Sequence, residues 1–538
     1  MNTGEIKKYN LIVTFLIVTV LISSSIPADA TKERTQEATM NDQCYGFLIN
    51  VTDNQLYGLQ TNITRLLNTL LHFNVSIYWI THDITLSAQG LDEASTVADH
   101  SFKKGCFIIA FGNDTLMNTK ITEQVYQKWL VSRVGTYKIM QPLENFSAYH
   151  LLEPRIACYN GTSVDSFFFP YQLAYAGFDH VDIITSKQLI SNLTVDNYDV
   201  FIWGGQFGTY FETLSDILSS TGLQVRKTIR NYIKTGGNYI GACYGGWRAA
   251  SGYHRPLGFP LDLGYSSLLS LLPIQLDLLD YNVYRALPGA GPVNLTIKNL
   301  DHPLTFGLPE NISNIYYFGG PMFLNKRGTQ PETETIAVLS DVDMNWWEFD
   351  FMMNFAPWWN NKILSNETKY RIANQWINDS IGSAMWVTGM FGKGKVIAFG
   401  LHPEYCFAFD GEEDRSSPPR VMFNSMWYAT GEGPFATVLD IPVTFSNLTV
   451  DAGGPYTTAV DQLIQFNGSV LTGTSPYNWL WEFELSDYFN YYSYPYNNTR
   501  EEQNPWFGYS QRGKYQVTLV VTDASGNIGY DITTVRVN

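Results

Sequence analysis

The chain has 538 residues, of which 45% are hydrophobic and 16% charged, enough apolar material for several buried cores and too little charge for a disordered or collagen-like polymer. Its 34 Lys and Arg face 50 Asp and Glu, a formal charge of -16. No window holds the basic cluster needed to neutralise a run of phosphates, so nucleic acid is not an expected partner.

Residues 1–30 read as an export signal. Lys7 and Lys8 precede an apolar run at 11–22, and small or polar residues lead to Ala28-Asp29-Ala30, with cleavage expected after Ala30. The run is shorter than the roughly 18 residues a membrane span needs, and no comparable run follows. The expectation is a secreted or cell-surface chain with no transmembrane span after signal removal; the alternative is an uncleaved anchor. Fourteen Asn-x-Ser/Thr sequons agree with export and glycosylation: Asn50, Asn62, Asn74, Asn113, Asn145, Asn160, Asn192, Asn294, Asn311, Asn366, Asn378, Asn447, Asn467 and Asn497. Five cysteines are an odd number. With Cys243 set aside for chemistry, Cys44, Cys106, Cys158 and Cys406 allow two disulfides in any of three pairings.

In chain order, a short apolar run at 45–51, helically spaced leucines from Leu56 to Leu71 and a β-patterned run at 75–80 predict a βαβ unit. A second buried strand follows at 106–111, then a helix through Val125, Trp129 and Leu130. From Arg155 onward strands at 156–159, 181–185 and 198–203 alternate with a helix at 167–176. A long amphipathic helix carrying Leu214, Ile217, Leu218, Val225, Ile229, Tyr232 and Ile233 stops at Gly236-Gly237. A strand at 238–242 runs straight into Cys243. Such alternation predicts a mostly parallel sheet with its site at the carboxyl ends of the strands. Beyond Phe435 only short β-patterned runs and turn signals remain, which predicts a small sandwich.

Gly241-Ala242-Cys243-Tyr244-Gly245, between a predicted strand and helix, is the cysteine counterpart of a nucleophile elbow. Such a turn holds the nucleophile in a strained conformation beside a helix N-terminus and turns the next amide, that of Tyr244, toward a developing oxyanion. The thiol needs a base and the base an orienting group. His402, ending the apolar strand before Pro403, is the candidate base, and Glu404 is close enough to accept its second N–H.

Together with Phe201-Ile202-Trp203-Gly204-Gly205 and Gly246, these residues resemble the class I glutamine amidotransferase-like fold. The variety is similar to the N-terminal domain of some biotin-protein ligases, whose insert carries a motif like Tyr317-Phe318-Gly319-Gly320-Pro321. The resemblance spans roughly Arg155 to Gly431. It implies a flavodoxin-like parallel sheet, Cys243 as nucleophile, His402 as base, Glu404 as orienting acid, and the amides of Gly205 and Tyr244 as oxyanion donors. No ATP-binding partner domain accompanies it, so hydrolysis of an amide, peptide or related acyl bond through a thioester is expected instead of ammonia delivery. Val450-Asp451-Ala452-Gly453-Gly454-Pro455-Tyr456 and the run from Gly513 to Asp523 resemble the two ends of a PKD (polycystic kidney disease) domain. Trp481-Glu482-Phe483-Glu484-Leu485 departs from that family's middle motif.

Other signals are set aside. Gly389-Met390-Phe391-Gly392-Lys393-Gly394-Lys395 has phosphate-loop spacing but Val396 where Ser or Thr is required, and reads as a hairpin turn. Asp341, Asp343 and Asn345 open like a calcium loop that lacks the glycine and the final glutamate. The eight histidines are scattered without zinc spacing, so neither metal nor cofactor is expected. Residues 410–414 read as a solvated acidic turn, and Trp346, Trp347, Trp358 and Trp359 as packing of a large insert, with a lid or sugar platform as the alternative.

The reading is a signal at 1–30, an accessory α/β domain at 31–153, an amidotransferase-like α/β domain at 154–435 and a PKD-like β-sandwich at 446–538. The expected function is a secreted hydrolase with a Cys243, His402, Glu404 site acting on an amide, peptide or glycan substrate. The alternative is a non-catalytic surface or adhesion protein that binds its partner through the sandwich.

Overall fold

A computed structural model describes residues 42–50, 57–90, 97–114, 117–122, 125, 135–160, 168–205, 220–253, 269–276, 290–323, 333–343, 366–405, 418–445, 448–483, 499–525 and 527–538. The export signal at 1–30, Trp129, Leu130, Leu214, Ile217, Leu218, the tryptophans at 346, 347, 358 and 359, Cys406 and residues 410–414 lie outside them. Among the described residues no helix is long and apolar enough to cross a membrane.

The first segment contains β1 (Asp42–Cys44), β2 (Gly46–Ile49), α1 (Tyr57–His72), β3 (Ile77–Ile80), β4 (Ile84–Gly90), β5 (Ala98–Phe102), β6 (Phe107–Ala110), β7 (Thr136–Ile139) and β8 (Leu143–His150). Here the structure corrects the βαβ reading. The strands β2 and β3 flank β6, and both run antiparallel to it, so the two strands that α1 connects share a direction but not a ladder. The run at 45–51 and the run at 75–80 are strands as expected; what the sequence concealed was β4, β5, β7 and β8, short or polar on one face, which make the sheet antiparallel throughout.

The second segment contains β9 (Ile156–Tyr159), α2 (Phe168–Tyr175), β10 (Val181–Ile184), α3 (Ser186–Asn192), β11 (Val200–Trp203), α4 (Ser220–Thr235), β12 (Asn238–Ala242), α5 (Tyr244–Ala249), β13 (Gly252–Tyr253), β14 (Gln275–Leu276), β15 (Ala290–Ile297), β16 (Asn311–Phe318), β17 (Thr333–Val342), α6 (Asn366–Ser380), β18 (Ala384–Phe391) and β19 (Gly394–Phe399). Nine of these strands form one sheet in the order β10-β9-β11-β12-β19-β18-β17-β15-β16. From β10 to β19 the pairing is parallel; from β19 to β16 it is antiparallel. This corrects the mostly parallel sheet: the molecule is mixed α/β, and its sheets are largely antiparallel. The physical cause is the hairpin at Gly392-Lys393. It joins β18 to β19 in two residues, too few for the crossover a parallel pair requires. The same hairpin is where the phosphate-loop spacing lies. The central strands β11 and β12 are buried along their whole length, as continuous apolar runs covered on both faces should be.

Between the two sheets lies α7 (Pro419–Thr430), followed by β20 (Glu432–Leu439) and β21 (Val443–Phe445). Most of α7 is buried on every side, the pattern of a helix packed between layers. It contacts α1, β11, β12 and β19, and Trp427 meets the rings of Trp79 and Phe107 edge-on. One continuous core runs from Phe47 and Ile109 through Trp427 to Ile240 and Leu295, each fully buried large side chain contributing about 1.5–3 kcal/mol. Strand β20 leaves the second segment and pairs along β8, and β21 pairs with β1. The chain therefore closes the first sheet with residues that follow the second.

The described residues beyond 448 form a separate core around Phe466, Trp481, Phe483, Leu519 and Val521, with Phe483 and Phe507 stacked at 4.0 Å. The strands are chiefly antiparallel, as the turn-rich sequence predicts for a sandwich.

The disulfide expectation is corrected for three of its four members. Cys44, Cys106 and Cys158 are buried thiols. Cys44 Sγ donates to Gly46 O at 3.1 Å and Cys106 Sγ to Asn50 Oδ1 at 3.5 Å, while burial pushes the Cys158 thiol far up. Titration with a thiol reagent in denaturant, without reductant, should therefore count at least the four thiols Cys44, Cys106, Cys158 and Cys243. A count of one or none would restore the disulfides. Asn50 is also removed from the glycosylation candidates, since its side chain is buried and engaged. Asn74, Asn113, Asn145, Asn192, Asn311, Asn378 and Asn467 are exposed.

Candidate active site

Three adjacent strands, β11, β12 and β19, run parallel, so their carboxyl ends lie side by side. Gly205, Cys243 and His402 each follow one of those ends within a few residues. That placement joins positions far apart in the chain.

At Cys243 the backbone has φ 51° and ψ -110°, a conformation that L residues rarely adopt and that is retained only where the surroundings enforce it. Its amide donates to Phe399 O at 3.0 Å and Leu401 O at 3.2 Å, which pins the turn to β19. The glycines around it are dictated by contact. A Cβ on Gly245 would stand 1.8 Å from Trp203 O, and one on Gly246 2.1 Å from Phe399 O, so α5 rests directly on the backbones of β11 and β19. Tyr244 opens α5, and its amide is among the first-turn donors that a helix cannot satisfy internally.

His402 and Glu404 are fully buried. His402 Nδ1 and Glu404 Oε1 are 2.8 Å apart, and the His402 amide donates to Tyr316 O at 2.9 Å. The other ring nitrogen, Nε2, approaches the Phe318 carbonyl that Cys243 Sγ also approaches. Burial by itself pushes this imidazole down. The negative charges and hydrogen bonds that Cys243 and Glu404 supply outweigh burial and hold His402 well above its ordinary value of 6.5. Glu404 Oε2 has no hydrogen-bond partner among the described residues.

The structure adds a group to which the sequence assigns no role. The carbonyl of Phe318, at the end of β16, lies 3.4 Å from Cys243 Sγ and 3.4 Å from His402 Nε2. Strand β16 sits at the far edge of the sheet order, yet Tyr316 accepts from His402, so the antiparallel half curls back over the carboxyl ends. The signal that pointed there was Tyr317-Phe318-Gly319-Gly320-Pro321. Its glycine Gly320 has room for no side chain, a Cβ there falling 2.3 Å from Gly400 O and 3.3 Å from Cys243 Cα. Gly205 is equally confined, its Cβ position 2.6 Å from His402 Cε1 and 3.5 Å from Cys243 Cβ.

All five predicted site residues therefore lie just beyond the carboxyl ends of three adjacent interior strands of one sheet. The arrangement offers a sulfur, an imidazole and a carboxylate bonded to that imidazole.

Residues 199–422 match a family described as "Biotin-protein ligase, N terminal". No curated protein matches the chain. Among solved structures the chain is similar to the cytoplasmic protein STM3548 from Salmonella typhimurium, at 13% identity over 52% of this chain and 100% of that one, with a TM-score of 0.30. It is also similar to the PKD domain of human KIAA0319, at 20% identity over 17% of this chain and 81% of that one, with a TM-score of 0.14.

Proposed function

We propose that this chain is an exported thiol hydrolase of amide or related acyl bonds, acting through a thioester on Cys243. The observation that carries the reading is the buried imidazole bonded to Glu404, whose other nitrogen approaches the same Phe318 carbonyl as Cys243 Sγ, at the carboxyl ends of parallel strands. The parallel block β10-β9-β11-β12-β19 supports a flavodoxin-like core of the class I amidotransferase kind, with antiparallel strands added at one edge. In this reading residues 31–153 are an accessory domain, 154–435 carry the site, and 446–538 are a PKD-like module for attachment or spacing.

The chemistry follows from the residues. The imidazolium of His402 favours the thiolate, the nucleophilic form of the sulfur. Cys243 Sγ attacks the substrate carbonyl carbon, a C–S bond forms, and the oxygen takes the negative charge beside the amides of Gly205 and Tyr244. Collapse breaks the C–N bond as His402 Nε2 gives its proton to the departing amine. Water then attacks the thioester, His402 takes a proton from it, and the acid leaves with the thiol restored. Throughout, Glu404 accepts from Nδ1–H and keeps the ring in one orientation.

One observation favours the second reading, a surface protein that keeps the scaffold without turnover. Cys243 is only 9% exposed, and its sulfur lies against Phe318 O at 3.4 Å. Iodoacetamide labelling separates the two. The hydrolase reading expects rapid alkylation of Cys243 near neutral pH, slowed about tenfold or more by His402→Ala and less by Glu404→Gln, with release of amine from small amides that Cys243→Ala abolishes. Labelling no faster than that of a free cysteine, unchanged by His402→Ala, would establish the scaffold.

A further inference from the structure

Three residues outside the candidate active site bring metal-binding atoms together. His72 Nδ1 lies 3.1 Å from Glu153 Oε1, and His180 Nε2 lies 3.5 Å from the same oxygen; the three ligand atoms all fall within 4.8 Å of one another. Asp179 Oδ2 is 3.7 Å from His72 Nδ1. Ligands at about 2.0–2.2 Å from a tetrahedral zinc stand about 3.3 Å apart, which is the spacing seen from each imidazole to the glutamate. Two imidazoles aimed at one carboxylate oxygen form a set that a single cation can complete.

The elements holding these side chains are tied together by hydrogen bonds. His72 ends α1, where the helix terminus favours positive charge. His180 precedes β10 in the turn after α2. The two helices are tied by the buried Asn68, whose Nδ2 donates to Ala176 O at 2.9 Å, and Gly177 packs on the backbone of Arg65. Glu153 stands in the link between β8 and β9, anchored two residues on where the Arg155 amide donates to Asp199 at 2.8 Å. The cluster therefore joins α1 of the first segment to the edge of the nine-stranded sheet.

We infer that His72, Glu153 and His180 form a site for a borderline divalent transition ion of the Zn2+ class, with Asp179 available as a further oxygen donor. Two nitrogens and one or two carboxylates suit zinc, copper or nickel and not calcium or magnesium, which take oxygen ligands. Histidine spacing along the chain predicts no metal site. The ligands in fact come from separate elements that only packing brings together.

The test uses the full chain carrying Cys243→Ala, so that the thiol and imidazole of the other site cannot capture the ion. Zn2+ titration by calorimetry should show one site per chain. His72→Ala and His180→Ala should each weaken it at least about tenfold and Glu153→Gln about tenfold, whereas His82→Ala, an exposed histidine elsewhere, should leave it intact. Zn2+ should also raise the melting temperature of the parent and not of His72→Ala, and Co2+ should give the visible absorption bands of a tetrahedral site. Metal-free melting temperatures equal to the parent's would show that the variants fold. Zinc affinity unchanged in His72→Ala and His180→Ala, or no zinc binding by the folded parent, would overturn the inference.

Discussion

Replacing Gly205 with alanine is expected to slow alkylation of Cys243 near neutral pH about tenfold or more, to the level of His402→Ala, in a chain that still folds. The added methyl would stand 2.6 Å from His402 Cε1, closer than real contacts allow, and 3.4 Å from Nδ1. The imidazole is fully buried, with Glu404 on one nitrogen and Phe318 O near the other, so it can yield only by leaving that geometry. Gly205 has no left-handed φ, and its amide survives the change, so neither backbone strain nor a missing oxyanion donor would explain the loss. The stability cost should be about 1–3 kcal/mol, the ordinary effect of overpacking. The pH profile of alkylation is the discriminating measurement. A variant destabilised but unperturbed at His402 would keep the parent's profile, and that result would remove Gly205 from the site. Gly245→Ala cannot serve as the test, because its methyl would collide with a strand carbonyl at 1.8 Å and the elbow would not form.

Arg420→Met is expected to destabilise the fold by about 2–4 kcal/mol, read as a lowered urea midpoint with an unchanged slope. Arg420 lies in α7, between the layers, and burial lowers its guanidinium to about 10. Nε donates to Phe306 O at 2.9 Å and Nη2 to Gly105 O at 2.7 Å, joining three segments of chain. Methionine fills much of the volume but removes the donor to Gly105 O, at about 1–3 kcal/mol, and one of two donors to Phe306 O, which keeps Asn424 Nδ2 at 2.9 Å, while relief from burying a charge offsets part of the loss. Gly307, with φ 69°, lies so close that its Cβ would stand 2.5 Å from the guanidinium carbon, so the loop is shaped to this side chain. A midpoint equal to the parent's would mean that the cation costs as much to bury as its two bonds return.

Much of the second segment was legible because its strands β9, β11 and β12 are short continuous apolar runs and α4 has a clear helical period. The elbow was legible because three glycines around a cysteine at a strand end have few other physical explanations. The antiparallel strands of the first sheet were not, since β4, β5 and β8 place polar residues such as Ser87, His100 and Glu144 among their apolar ones. The role of Phe318 is invisible in the sequence, because a backbone carbonyl has no sequence signature.

From the residues alone come the alternation of elements, the nucleophile turn, and the placement of Cys243 and His402 each at a strand's end. These are local properties, set by side-chain period and by the steric needs of glycine. Tertiary structure decided that β12 and β19 are neighbours, that β16 curls back to set Phe318 beside the sulfur, and that His72, Glu153 and His180 converge. Those are contacts between distant positions, chosen by which faces must be buried together, and hydrophobic burial carries no record of sequence separation.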